Sequence, residues 1–520
     1  MNILVIGGGG REHAIIRHLR QNPAVETIWA LPGNAGMDAD ATRVRSADGG
    51  PMEATDVAQI VGFAKSHAVD YAIVTPDDPL CLGVVDELAA IGVPAFGPTR
   101  AAARIEGSKA FAKDLMHRHG IPTADYKVYD NANAALAAVE TCALPVVVKA
   151  DGLALGKGVT VATTREEAVT AVREAMVDGR FGVAGARVVI EEFMAGTEAS
   201  LMLLTDGTDY KLMPAAMDHK RALDGDAGPN TGGMGAIAPH PLMTPEMTAR
   251  VEREIVVPVL AALREEGCPF TGCLYAGLML TSDGPKVVEF NCRFGDPETQ
   301  AVLALLDSDL LVALRSVTEG TLASTPLEFR DGAACCVVLA SGGYPGVYHK
   351  GYPISGCEYA ATGAEPESTD AARSERHSGG AMGVTDARRQ TGGLLSVDGA
   401  ASVPPGGCAV AHDRWIQAEL DFAGVNETDG VLTTNGGRVV GVTATGPDLA
   451  QAIEQAYQAA GQIHFEGVHM RRDIGRAALA VGTVPTAALG AAPTAAPPVG
   501  TVPTVALTAD QDNQPTPSAQ

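Results

Sequence analysis

Basic residues are in deficit: 38 Lys and Arg stand against 62 Asp and Glu, a formal charge of −24 over 520 residues. A nucleic-acid partner needs a basic surface to neutralise phosphates, so this balance excludes one. An anionic small molecule remains open, because a few cations and backbone N–H groups suffice to hold it. Aromatics are also scarce, at 4%, and with 60 glycines this suits an α/β enzyme with many tight turns. The nine cysteines form no CxxC pair and no His/Cys cluster at zinc spacing, which reads as reduced thiols of a cytoplasmic protein. No apolar run is long enough to span a membrane, and the N-terminal ILVI is too short for a signal-peptide core. No membrane partner is expected.

The length calls for more than one core. Residues 1 to about 105 alternate short apolar runs (3–6, 27–30, 71–74, 94–96) with helical stretches, the pattern of a doubly wound parallel sheet. In such sheets ligands bind beyond the carboxyl ends of the strands, where GGGG (7–10), LPGNAG (31–36) and TPDDP (75–79) fall. From about 107 to 330 the pattern changes to strands at 145–150, 159–163, 187–193, 197–204, 273–280 and 285–291, the first two flanking a glycine-rich hairpin. Another α/β region follows to about 478, interrupted over 361–414 by a stretch without periodicity that reads as an extended insertion. From about 479 the chain carries seven prolines, no Lys or Arg, and VGTVPT twice, a composition expected to remain disordered.

Two glycine clusters invite nucleotide readings, and both fail the usual tests. After Gly7 the run continues G-G-G-R-E, so Glu12 stands where the dinucleotide fingerprint needs its third glycine, and the second strand ends in Trp29-Ala30-Leu31-Pro32 without a ribose acid. What survives is a helix N-terminus suited to a phosphate, or a tight turn with no ligand. DGLALGKG (151–158) has three residues between Gly152 and Gly156, then Lys157 and Gly158, and leads into a strand, so it is not a Walker P-loop. It is either a lid that closes over phosphates or a solvated hairpin.

Residues 287–300, VVEFNCRFGDPETQ, carry the clearest chemistry. On a strand, Glu289 and Asn291 share a face and offer two hard oxygen donors, with positions left for phosphate oxygens; this describes a Mg²⁺–nucleotide site. Arg293 is expected on the same face, where it would neutralise a transferring phosphoryl group. A strand-end ion network is the alternative. RVVIEEFMAGTEAS (187–200) either presents backbone to an adenine edge with Glu198 near ribose, or is an acidic strand end. DHKR (218–221) with GPNTGGMG (228–235) suits an anionic substrate or a surface loop.

These segments, in this order, resemble the phosphoribosylamine–glycine ligase family of ATP-grasp enzymes. The resemblance rests on GGREHA, ALPGNAG, FGPT, EGSKAFAKD, VVKADGLALGKGV, VIEEF, DHKR, GPNTGGMGA, YAGLM, EFNCRFGDPETQ, ASGGYPG and TNGGRVVGVTA, over roughly 1–358 and 422–478. It implies a multidomain α/β fold: an N-terminal substrate domain (1–106), an ATP-grasp domain (107–330, lid about 125–195) and a C-terminal domain (331–478). It also implies ATP with Mg²⁺ or Mn²⁺, glycine and 5-phosphoribosylamine as substrates, and a monomer or weak homo-oligomer. Residue by residue, Glu289 and Asn291 resemble the metal ligands, and Arg293 a contact to acyl phosphate and glycine. Lys109, Lys149, Gly156, Lys157 and Gly158 resemble phosphate contacts. Glu191, Glu192, Phe193 and Met194 resemble the adenine hinge, and Glu198 the ribose contact. Gly9, Gly10 and Arg11 resemble a cradle for the aminosugar phosphate, with Asn34 nearby. Asp218, Lys220, Arg221 and the loop with Asn230, Thr231 and Gly232 resemble the chamber walls, and Lys149, Asp218 and Arg293 are the catalytic candidates. The chain departs from the family at Pro76-Asp77-Asp78-Pro79-Leu80, where Asp77 replaces the usual glutamate, and in the insertion and tail. A ligase for a different carboxylate, or a nucleotide-binding regulator without turnover, are the competing expectations.

Overall fold

The first apolar run becomes the central strand of the N-terminal sheet, and its alternation explains why. In Asn2–Gly7, Ile3 and Val5 pack into one core and Leu4 and Ile6 into another, and all four are fully buried. This computed structural model describes residues 1–46, 49–154, 158–358 and 418–479. Gly156, Lys157, the insertion expected over 361–414 and the tail from 480 lie outside the described residues.

Thr42–Arg43, Thr27–Pro32, Asn2–Gly7, Tyr71–Val74 and Ala95–Phe96 form, in that order, a five-stranded parallel sheet. Helices Gly10–Leu19, Val57–Ser66 and Val84–Ala90 lie among its crossovers. The three loops singled out in the sequence leave the carboxyl ends of the first, second and fourth strands.

Two antiparallel sheets follow. The first orders Tyr126–Tyr129, Val188–Glu192, Val146–Ala150 and Val159–Ala162, with Lys149 opposite Val159 across the expected hairpin. Helices Ala132–Thr141 and Arg165–Met176 cover it and share a small core of their own around Val139, Val148 and Val172. The second orders Tyr210–Leu212, Thr197–Asp206, Thr271–Thr281 and Gly284–Asn291. The chain passes from one sheet to the other over 193–196, so the two sheets meet like a clasp.

The last large sheet orders Met217–Asp218, Gly235–Ala238, Ala333–Ala340, Arg438–Gly446 and Glu419–Phe422. Its centre, AACCVVLA, is buried at every residue and packs under helix Leu449–Ala460. Because two of its strands come from the middle of the chain, packing runs continuously across residue 330. The segment 221–230, read from sequence as a loop, is instead a two-stranded ribbon of Arg221–Leu223 and Ala227–Asn230. Its glycines hid the pairing.

Candidate active site

Strand Gly284–Asn291 pairs with Thr271–Thr281, with Gly277 opposite Glu289 and Leu278 opposite Val287. Val288 is the extra residue of this bulge, and its carbonyl accepts from Lys149 Nζ at 3.0 Å. The irregularity therefore aims the first sheet's lysine at the second sheet's carboxylate. Burial works against ionising Glu289, but Lys220, Lys149, Lys109 and Arg293 face it and hold its carboxyl below the usual range. Glu289 makes no ion pair with any of them within the described residues, so four cations surround an acceptor that none of them occupies. Asn291, at the strand end, is buried.

Arg293 is placed differently from the expectation. The strand ends at Asn291, so Arg293 is not on its face; Glu106 Oε1 accepts from Arg293 Nη2 at 2.9 Å, and Phe294 O accepts from Nη1 at 3.2 Å. The guanidinium still faces Glu289. Burial opposes its charge, but Glu106 and Asp77 keep it firmly protonated. Glu106 Oε2 also accepts from the backbone N–H of Cys292 at 2.7 Å, fixing the turn that carries Arg293. Asp77, which opens helix Asp77–Leu82, adds like charge at Glu106 and opposite charge at Arg293.

Lys149 lies on Val146–Ala150 and meets Glu191 Oε2 at 2.9 Å. Lys113, four residues beyond Lys109 on helix Lys109–Arg118, meets the same oxygen at 3.1 Å. Lys109 donates to Gly152 O at 3.1 Å, holding the start of the glycine hairpin. The side chain of Glu191 is thus turned inward onto lysines. The junction exposes Glu192, Phe193 (43% accessible) and the partly buried Met194, so a large apolar ring faces out where the two sheets meet. Glu192 Oε1 accepts from Asp125 N at 3.2 Å and faces Lys286 Nζ at 3.6 Å. Gly158 packs against Ala150 and Ala154.

Across the junction, Glu198 Oε2 accepts from Lys220 Nζ at 2.7 Å. Burial disfavours the charge of Lys220, but Glu198, Tyr275, Glu289 and Asp218 raise its pKa well above that of an ordinary lysine. Asp218 Oδ1 is buried without a hydrogen-bond partner, and burial together with the charge of Glu298 pushes this carboxyl well above its usual range. Thr231 folds back on Lys220, its N–H and hydroxyl both donating to the carbonyl at 2.7 and 2.8 Å. Arg221 is not free: its Nη1 donates to Gly228 O at 2.7 Å inside the ribbon, whose end Asn230 is exposed. Gly232 N donates to Tyr344 OH at 3.1 Å, and Gly232 O accepts from Arg438 Nη1 at 2.6 Å.

The N-terminal glycine loop shows why Glu12 departs from the dinucleotide pattern. Glu12 folds under the loop, where its Oε2 accepts from Gly9 N at 2.6 Å. Its Oε1 accepts from Arg11 Nε and Thr75 Oγ1, each at 2.6 Å. A Cβ on Gly7 would stand 2.5 Å from Glu12 Cγ, and Gly7 has φ +129°, so glycine is required there. Arg11 is buried, with Nη1 donating to Phe294 O at 2.9 Å. Asn34 is a staple: Nδ2 donates to Gly8 O at 3.0 Å and Phe422 O at 2.8 Å, while Oδ1 accepts from Gly36 N at 2.8 Å. A Cβ on Gly9 would lie 3.3 Å from Asp296 Oδ2, and one on Gly10 would lie 2.8 Å from Gln300 Nε2. The loop therefore abuts the same GDPETQ segment that follows the Glu289 strand.

Profiles of three consecutive domains of one family cover most of the chain. The Phosphoribosylglycinamide synthetase N domain matches residues 1–106, the ATP-grasp (A) domain 107–299 and the C domain 407–477. The chain belongs to the phosphoribosylglycinamide synthetase family. The phosphoribosylamine–glycine ligase of Vibrio vulnificus is 43% identical over 482 residues, 92% of this chain and 99% of that protein. That of Mesorhizobium japonicum is 42% identical over 480 residues, with the same coverage. Among solved structures, the phosphoribosylamine–glycine ligase of Thermotoga maritima superposes with a TM-score of 0.70 at 31% identity, covering 91% of this chain and all of that one. A biotin carboxylase from Campylobacter jejuni, 12% identical with a TM-score of 0.61 over 90% and 92% of the two chains, shares the fold alone. The α/β fold is thus the three-domain arrangement with an ATP-grasp core.

Four residues of this site escaped the sequence reading. Lys113 had a signal, since it follows Lys109 by one helical turn on the same face. Glu106 and Glu298 stood inside motifs that had been noticed for their neighbours. Arg438 lies 142 residues beyond Asp296, yet donates to Asp296 O at 2.8 Å and Oδ2 at 3.0 Å. Arg438 belongs to TNGGRVVGVTA, but nothing in that motif identifies Asp296 as its partner.

Proposed function

We propose that this chain ligates glycine to 5-phosphoribosylamine at the expense of ATP, through a glycyl phosphate, giving glycinamide ribonucleotide, ADP and phosphate in purine biosynthesis. The observation that carries this reading is the convergence of Lys220, Lys149, Lys109 and Arg293 on Glu289. Transfer of a phosphoryl group asks mainly for positioning and charge neutralisation, and this is a neutralising cluster without a side-chain nucleophile.

Adenine sits in the junction between the sheets, against backbone of 191–194 and the Phe193 ring, with ribose near Glu198. Lys109, Lys149 and the hairpin 151–158 hold the phosphates. Glu289 and Asn291 fit a divalent cation: an ionised carboxylate and an amide oxygen supply two hard donors, and water and phosphate complete the shell. Among the described residues no trio of His, Cys, Asp or Glu forms a cation cage. Bound there, Mg²⁺ or Mn²⁺ would neutralise phosphate charge. Arg293, fixed by Glu106, orients the glycine carboxylate toward the γ-phosphate. The aminosugar phosphate lies at Gly9, Gly10 and the turn shaped by Arg11 and Asn34, its ribose toward Asp77, and Lys220, Arg221, Asn230, Thr231 and Gly232 border its path. No helix of the described residues is long and apolar enough to cross a membrane, and a cytoplasmic, monomeric or weakly associating enzyme is the proposed setting.

ADP formation should require both glycine and freshly prepared 5-phosphoribosylamine. Release with another carboxylic acid but not glycine would reassign the substrate within the ATP-grasp ligases, and no release with any acid would leave a nucleotide-binding regulator. Glu289→Gln should lower turnover by about 10²–10³-fold or more, since it removes one preorganised charge from the transfer site.

A further inference from the structure

Resting on that function, we propose that Asp218 accepts the proton released when the amine attacks the acyl phosphate, and that Glu298, clamped by Tyr275 and Ser200, is the positioning residue that keeps Asp218 in this role.

The placement of Asp218 makes the first half of the case. It faces Lys220, which belongs to the cation cluster around Glu289, and Arg438, which holds Asp296 against the Gly9 loop. A Cβ on Gly233 would meet both Asp218 Oδ1 and Pro297 Cδ, at 2.7 and 2.4 Å, so Asp218 lies beside the 295–300 segment that abuts the Gly9 loop. Its Oδ1 is buried with no partner, an acceptor with a free lone pair in a place where desolvation is costly. Gly233 permits this: a Cβ there would lie 2.7 Å from Oδ1, and Gly233 has φ +110°.

The second carboxylate is built in deliberately. Glu298 Oε1 accepts from Tyr275 OH at 2.8 Å and from Ser200 Oγ at 3.1 Å, and the two hydroxyls are 2.6 Å apart. These side chains come from three separate segments and are all buried. Gly295 leaves the space, since a Cβ there would stand 2.6 Å from Glu298 Oε2 and 3.0 Å from Tyr275 Cε2. The groups facing Asp218 are Glu298, Lys220, Glu198 and Arg438; burial comes first and Glu298 second in disfavouring its ionised form, and the two cations oppose them. An aspartate made more basic by its surroundings holds an accepted proton more tightly than an exposed one would.

The step balances without further reactants. The amine lone pair forms the new C–N bond to the acyl carbon. The C–O bond to phosphate breaks, its electron pair leaving with phosphate. The nitrogen sheds one proton to Asp218, which returns it to solvent after product leaves.

The test is single-turnover amide formation by the full chain with ATP, glycine and 5-phosphoribosylamine, followed across pH. Asp218→Asn should slow amide formation by about 10²–10⁴-fold and leave ATP binding, measured by titration calorimetry, unchanged. Glu298→Gln should slow it less and move the acidic limb of the rate profile about one unit lower, because losing the neighbouring charge makes Asp218 easier to ionise. An unshifted limb in Glu298→Gln would reduce Glu298 to a packing role and overturn the proposal, as would wild-type rates in Asp218→Asn. Glu298→Gln alone decides the matter where Asp218→Asn fails to fold. A wild-type chain that forms no amide from glycine removes the functional reading itself, whereas normal wild-type turnover with unaffected variants removes only this inference.

Discussion

Glu191 receives two lysines on one oxygen: Oε2 lies 2.9 Å from Lys149 Nζ and 3.1 Å from Lys113 Nζ, while Oε1 is buried without a partner. All three side chains are almost fully buried. Burial outweighs the attraction of Glu191 at Lys113 and brings its pKa down to about 8, and one carboxylate is the shared partner of both crowded lysines. Removing its charge should therefore do more than break one pair. Glu191→Gln should destabilise the fold by about 3–5 kcal/mol in urea unfolding at pH 7 and raise KM for ATP, since Lys149 loses its fixed position. A variant within about 1 kcal/mol of wild type would show the lysines to be neutral or rearranged.

Glu12 links the glycine loop to the fourth strand of its sheet through Thr75, and supplies an internal acceptor to Gly9 N and Arg11. Its loss would strand a buried guanidinium and free the loop. Glu12→Ala should cost about 3–5 kcal/mol of stability and raise KM for 5-phosphoribosylamine, with KM for ATP unchanged because the nucleotide groups lie in the other sheets. An equal rise in both constants would show that Glu12 acts through global stability alone.

Strand positions were readable because they depend on local pattern. The runs at Tyr71–Val74, Val146–Ala150 and Ala333–Ala340 alternate or bury as their composition requires. The failure of the dinucleotide fingerprint at Glu12 was readable too, but its reason was not, because Thr75 lies 63 residues away. Arg293 was misplaced onto a strand face since nothing in EFNCRF marks the ladder's end at Asn291; Glu106, 187 residues earlier, fixes the actual turn. The last large sheet brings Met217–Asp218 together with Glu419–Phe422 and Arg438–Gly446, a long-range choice that periodicity does not encode. The motifs are local, and the distant ion pairs that fix their side chains are visible only in three dimensions.

Asp421 occupies the seam between the N-terminal helix and the last sheet, and its carboxylate is fully buried with neither oxygen hydrogen-bonded. Arg17 Nε approaches to 3.4 Å, but Arg17 also pairs with Glu419. Burial dominates, Arg17 opposes it, and Glu419, Asp296 and Asp40 add like charge, so the pKa rises to about 7. In the unfolded chain the same carboxyl ionises near about 3.9. Between those values the folded chain binds the extra proton, so the stability from this group falls as pH rises from about 4 to 7 and stays low above. Asp421→Asn mimics the protonated form. It should match wild type near pH 4 and exceed it at pH 8 by up to about 4 kcal/mol, measured as unfolding free energy in urea at both pH values. A variant less stable than wild type at pH 8 would mean that the pairing with Arg17 outweighs the burial of the charge.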